Sequence, residues 1–176
     1  MGISMDAIKE LREMTSCGVI ECKKALEEAS GDFKKAKEIL QRRGLELAAK
    51  KGSRLAKDGR LEAYIHPGNK LGVIVEVCCE TDFVAKSDAF CAFTKDLAMH
   101  IAALNPKYVR KEDIAADVLA AQPDQKAFLE QTCLVEQPFI KEPSKTIQDC
   151  VNFLISKVGE NIFINRFIRF KVGEVE

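Results

Sequence analysis

The sequence has no tryptophan, only two tyrosines and two histidines, and no net charge, since its 27 Lys+Arg match 27 Asp+Glu. A balanced chain is not built to coat nucleic acid or an anionic bilayer, so neither is expected as a direct partner. Apolar runs such as Leu71–Val75 are far shorter than the ~20 residues a membrane span needs. The start Met1-Gly2-Ile3-Ser4-Met5-Asp6 lacks the basic and apolar regions of an export signal, and a Ser or Thr where acylation needs one. There is no CxxC, and His66 and His100 lie in different segments. A zinc set of Cys78, Cys79, Cys91 and His100 would need adjacent ligands, which strains tetrahedral closure. The seven cysteines are therefore expected to be free, mostly buried thiols in a reducing cytoplasm, with no metal and no cofactor. No phosphate loop, HExxH, GxSxG or GxGxxG occurs, and nothing suggests an enzyme.

Charge and proline are unevenly spread. Residues 1–60 carry 14 Lys/Arg and 10 Asp/Glu, residues 61–176 carry 13 and 17, and all five prolines lie in the second part. The basic stretch Lys50-Lys51-Gly52-Ser53-Arg54 marks the change, which divides the chain into residues 1–52 and 53–176.

The first part predicts three short helices. Ser4 can cap the first, with Ile8, Leu11 and Met14 on one face. Thr15-Ser16-Cys17-Gly18 breaks it. Val19, Cys22, Ala25, Leu26 and Ala29 then recur at helical spacing. Gly31 suits a left-handed stop and Asp32 a new cap, ahead of a stripe of Phe33, Ala36, Ile39 and Leu40. Helices this short must pack on one another.

The second part opens with a β-hairpin, Arg60–Ile65 and Leu71–Cys79, around a turn at His66-Pro67-Gly68-Asn69. Val73, Val75 and Val77 share one face of its second strand. A long helix is predicted from Ser87 to Leu104, with Phe90, Phe93, Thr94, Leu97, Ile101 and Leu104 as its buried stripe. A short helix near Ile114–Ala121 and helices over Lys126–Leu134 and Thr146–Lys157 follow. Ile162–Val172 reads as a strand, with Ile162, Ile164, Ile168, Phe170 and Val172 on one face and Phe163, Phe167 and Arg169 on the other. Apolar residues on both faces suggest that both are covered, the second by another subunit. Helices on a short antiparallel sheet make the fold class α+β.

One segment fits no routine role. Glu80-Thr81-Asp82-Phe83-Val84-Ala85-Lys86 joins a buried strand to the long helix. Thr81 and Asp82 are good turn and cap residues. Phe83 can be a hydrophobic staple on the following helix, or an exposed aromatic that enters a partner's crevice, and pattern alone fits both.

Two long stretches resemble signatures of the elongation factor Ts family, whose members exchange nucleotide on the GTPase elongation factor Tu. Leu11–Leu26, containing Arg12, Val19, Ile20 and Lys23, is similar to the first; Glu76–Lys86, containing Thr81, Asp82, Phe83 and Val84, is similar to the second. Tyr64-Ile65-His66, Ala98–Ala102, Glu136–Phe139 and Phe167–Phe170 extend the likeness along nearly the whole chain. Cys78 stands where the family usually has Asn, and Val19-Ile20 replaces a Met pair. The stretch between Asp113 and Leu134 is short, and only one core copy is present.

The resemblance implies a three-helix, ubiquitin-associated-like module over 1–52, which docks on the GTPase through Arg12, Val19, Ile20 and Lys23. Two adjacent apolar residues cannot both face inward on one helix, so at least one of Val19 and Ile20 is expected at the surface. The resemblance further implies that Thr81, Asp82, Phe83 and Val84 of the core enter the GTPase near its magnesium site, and that His66 touches the same region from a second core copy. A chain with one copy would then work as a homodimer in a two-plus-two complex, pairing through Ile162–Val172.

Overall fold

A computed structural model describes residues 3–15 and 17–174. Gly2 of the Met-Gly start and Ser16 of the first expected turn lie outside the described residues. The chain forms two compact units, residues 1–54 with 152–161, and residues 55–151 with 162–176.

In the first unit, α1 (Met5–Thr15), α2 (Val19–Glu28) and α3 (Phe33–Lys51) form the three-helix bundle. Local chemistry sets its corners. The Ser4 hydroxyl accepts from the Ala7 amide at 3.1 Å, and the Asp32 carboxylate accepts from the Lys34 and Lys35 amides at 2.8 and 3.1 Å. Ser30 and Gly31 take positive φ between α2 and α3. Ile8, Leu11, Cys22, Ala25, Leu26, Ala36 and Leu40 make the core. Met14 and Val19, expected in apolar stripes, are exposed instead. Each sits at a helix end, where the neighbouring helix no longer covers it. The last residues of a later helix join this unit: Ser156 lies against Gly44 of α3, and the Lys51 ammonium donates to the Gly159 carbonyl.

The second unit carries a three-stranded antiparallel sheet in the order β1 (Asp58–Ile65), β2 (Leu71–Cys79), β5 (Ile162–Lys171). Between β2 and β5 the chain forms α4 (Asp82–Ala85), α5 (Asp88–Leu104), α6 (Ala116–Ala120), α7 (Gln125–Thr132), a small hairpin of β3 (Pro138–Phe139) and β4 (Glu142–Thr146), and α8 (Ile147–Val158), which runs on into the first unit. Helix α5 packs on β1 and β2. Val73, Val75 and Val77 meet Phe90, Leu97 and Ile101 in a core closed to solvent. Leu104, expected in the stripe, is exposed at the end of α5, where Asn105 takes the left-handed cap.

The face assignment of the last strand needs correcting. Glu76 pairs with Arg166 but Val77 pairs with Ile164, so Asn165 is an extra residue, a β-bulge. Side-chain alternation inverts there. Ile162 and Ile164 stay on the inner face, but Phe167 and Arg169 take it over beyond the bulge, and Ile168 and Phe170 turn outward. The outer face is then apolar and uncovered in the monomer: Leu61, Ile65, Ile74, Ile168 and Phe170 are 43–68% exposed.

Candidate functional site

Strand β2 ends at the buried Cys79, whose thiol lies 3.1 Å from the Thr81 carbonyl. Thr81 leaves the strand in extended conformation and its hydroxyl accepts from the Val84 amide at 3.4 Å, which caps the single turn α4. Ser87 closes the other side. Its hydroxyl donates to the Val84 carbonyl at 2.8 Å and accepts from the Phe90 amide at 3.4 Å, starting α5. The turn is thus capped twice within seven residues and tied to two buried elements.

Phe83 projects from this turn and is 82% exposed. It staples nothing; the residues that anchor the turn are Val84 and Ala85, both buried against β1 and β2. Val84 therefore departs from its expected place beside Phe83, because one residue along a helical turn rotates the side chain by about 100°. Asp82 lies at the surface, 2.6 Å from the Lys86 ammonium one turn later. That hydrogen bond and charge hold its carboxyl below the usual range and raise Lys86 correspondingly. An aromatic ring beside an ionised carboxylate, on a backbone fixed from both sides, can enter an apolar crevice with little ordering cost.

His66 occupies the turn between β1 and β2. The Tyr64 hydroxyl lies 3.0 Å from its Nδ1, with the two rings tilted at 58°. His66 and Phe83 sit at opposite ends of β2, whose nine residues span roughly 25 Å. One chain does not bring them together.

In the first unit, Arg12, Val19, Ile20 and Lys23 gather at the surface around the α1–α2 connection. Both apolar members are exposed, Val19 by 44% and Ile20 by 69%. Arg12 also lines a basic recess of about 350 Å³ with Lys9, Glu13 and Lys157. Lys23 lies 3.9 Å from Glu27.

Other titratable groups are structural. His100 is fully buried; its Nε2 lies 3.0 Å from the Gln137 side-chain oxygen, and the Ile140 amide donates to its Nδ1 at 3.3 Å. Burial lowers its pKa. Burial also pushes Cys150 up to about 11 and raises Cys17, Cys78 and Cys133, leaving them poor nucleophiles. Among the described residues no group of three or more His, Cys, Asp or Glu is placed to hold a metal ion, and no helix is long and apolar enough to cross a membrane. Sequence reasoning missed the groove beside His66, because Arg169 and Lys171 reach it only through the register of β5.

Comparison with known proteins places this geometry in context. The profile of the family described as Elongation factor TS matches residues 20–127 and 121–174. The chain is 46% identical to Elongation factor Ts of Carboxydothermus hydrogenoformans, covering 98% of this chain and 90% of the relative. It is 47% identical to Elongation factor Ts of Herpetosiphon aurantiacus, covering 98% and 99%, and 45% identical to that of Thermodesulfovibrio yellowstonii, covering 100% and 99%. The alignment to the first runs over 195 positions, more than this chain has residues, so the relative carries insertions. The two matched segments meet at residues 121–127, inside the stretch that is short here.

Proposed function

The chain belongs to the elongation factor Ts family of translation elongation factors, and from that premise we propose that it binds elongation factor Tu and promotes release of GDP. The observation that carries this reading is Phe83, an aromatic ring 82% exposed on a doubly capped turn.

The mechanism is linkage between two ligands of one GTPase. If this protein weakens GDP binding by some factor, GDP weakens binding of this protein by the same factor. Phe83 wedged between helices of the GTPase displaces the groups that hold phosphate and magnesium, whose octahedral geometry tolerates little displacement. GDP leaves, GTP enters and the factor is displaced. No side chain of this protein forms or breaks a bond, so it acts without being an enzyme in the chemical sense. Arg12, Val19, Ile20 and Lys23 supply a second contact that holds the GTPase while Phe83 acts. Thr81 and Val84 serve by fixing the turn. The setting is the cytoplasm, where the GTPase works.

Because His66 and Phe83 are a strand length apart, a single region of the GTPase is reached by both when they come from different copies. The outer face of the sheet suits that pairing: five exposed apolar side chains, Ile168 and Phe170 among them from the C-terminal strand, flank the Glu76–Arg166 ion pair and make a patch that a second copy can cover. The functional unit is then a homodimer in a two-plus-two complex.

The test is release of labelled GDP from elongation factor Tu with and without the protein. Acceleration at substoichiometric concentration is expected. An unchanged release rate at saturating protein overturns the reading.

A further inference from the structure

Beside His66, the hairpin end of the sheet and the last turn of α5 enclose a cleft of about 510 Å³. Its apolar lining comes from Leu71, Met99 and Ala102 and its cationic lining from Lys70, Arg169 and Lys171. Arg169 is built in rather than displayed. Its side chain is 11% exposed, and its Nε donates at 3.3 Å to the Ala102 carbonyl near the end of α5, where a cation complements the helix dipole. Among the described residues one anion pairs with this group. The Glu174 carboxylate, brought back by a turn in which Gly173 takes φ +87°, lies 3.0 Å from Arg169 and 2.9 Å from Lys171. Lys70 has no ion pair among the described residues. Among the described residues the cleft therefore has three cations and one carboxylate beside them, and that pairing points to the ligand class it accepts.

We propose that this cleft is a carboxylate-binding site, whose Arg169 and Lys171 pair with Glu174 beside the cleft in the free protein and are handed to an acidic side chain of elongation factor Tu on docking. The proposal rests on the exchange-factor reading above and adds a chemical identity for the contact at His66. Replacing one carboxylate by another keeps the desolvation of Arg169 and Lys171 nearly constant, so the exchange is easy in both directions. Glu174 acts as a brake: the partner's carboxylate pairs only in the fraction of molecules in which Arg169 and Lys171 are released from Glu174, and apparent affinity falls by that fraction. The apolar lining distinguishes a carboxylate carried on a protein surface from a small free anion, because only the former covers Leu71 and Met99 on arrival. The Tyr64 hydroxyl and the His66 ring, 3.0 Å apart at Nδ1, add polar groups to the lining.

Three proteins decide it: the unaltered chain, Glu174→Gln and Lys171→Gln. Both changes of charge are at the surface, and circular dichroism melts verify the fold. In GDP release from elongation factor Tu, Glu174→Gln is expected to lower the half-saturating factor concentration about two- to fivefold, the scale of an exposed ion pair removed from competition, with the maximal rate unchanged. Lys171→Gln is expected to raise it by a similar factor. A second arm uses no GTPase: a hexaglutamate peptide titrated into each protein, followed by the amide resonances of Arg169 and Lys171. The peptide is expected to bind Glu174→Gln more tightly than the unaltered chain, and Lys171→Gln more weakly. If Glu174→Gln leaves the half-saturating concentration unchanged or raises it, the brake is refuted. If the peptide moves neither resonance in any variant, the carboxylate site itself is refuted. If the unaltered chain does not speed GDP release, the exchange-factor reading falls, and the peptide arm alone decides the site.

Discussion

The two faces of the three-stranded sheet are made of the same residue types and behave oppositely. Val73, Val75 and Val77 on the inner face are closed off by α5, whereas Ile65, Ile74, Ile168 and Phe170 on the outer face meet solvent. Burial of apolar surface within the chain stabilises the monomer; the same surface left outside stabilises only what it later covers. Phe83 belongs with the outer set in this respect, although it lies on a turn. Hydrophobicity therefore does not distinguish the residues that fold this protein from those by which it would recognise others. Position relative to α5 does.

Changes on the two faces separate these roles. The largest effect is expected from Ile168→Asp. A carboxylate held in an apolar interface carries a desolvation penalty of several kcal/mol per ion, and a symmetric dimer contains two. Sedimentation at micromolar concentration should show a monomer with unchanged helical circular dichroism. An intact dimer would remove the outer face from the assembly. Next is Leu97→Ala on the inner side, where Leu97 is fully buried. It should lose about 2–5 kcal/mol of stability in denaturant titration through lost contacts and a residual cavity.

Phe83→Ala should do the reverse of Leu97→Ala. Truncating an aromatic that fills a partner crevice removes about 2 kcal/mol or more, and thus slows catalysed GDP release about tenfold or more, while the thermal midpoint stays put. A lowered midpoint with normal exchange would return Phe83 to the core. Asp32→Ala touches neither face and loses only the cap of α3, about 1 kcal/mol, visible in the melt and absent from the exchange rate.

The smallest effect is a pH dependence. Burial depresses the pKa of His100 in the folded state below its ordinary value, so the unfolded chain binds the extra proton first. The stability this contributes is complete above about pH 6.5 and declines as pH falls below it, while most carboxylates are still ionised at pH 5. Melting at pH 7.5 and 5 should show the decline, and His100→Gln should flatten it. An equal slope in both proteins would assign the decline to other groups.

Local chemistry was legible in the sequence because it acts over a few residues. Ser4 and Asp32 cap helices where the pattern placed them, the long helix starts beside Ser87 as expected, the β1–β2 turn falls on His66–Asn69, and Phe90, Thr94, Leu97 and Ile101 of the expected stripe are buried while Phe93 is half-buried. The Glu80–Lys86 segment stood out for the same reason, since turn and cap residues there put an aromatic between a strand and a helix. Which residue of that turn faces outward was decided by packing. Val84 fills the space above β1 and β2, and Phe83, one residue earlier, has nowhere to go but solvent. The outer apolar face had the same origin: strict alternation put Ile168 and Phe170 with Ile162 and Ile164, and the bulge at Asn165 turned them around. A bulge answers to the register of a strand some ninety residues away, and no periodicity within β5 encodes it. The pairing of Glu174 with Arg169 depends on that same shifted register. Sequence determined the three N-terminal helices, the β1–β2 hairpin, the long helix, the last strand and the family; the tertiary structure decided the small β3–β4 hairpin and which apolar and charged side chains point outward, because these follow from contacts between distant segments and not from any one of them.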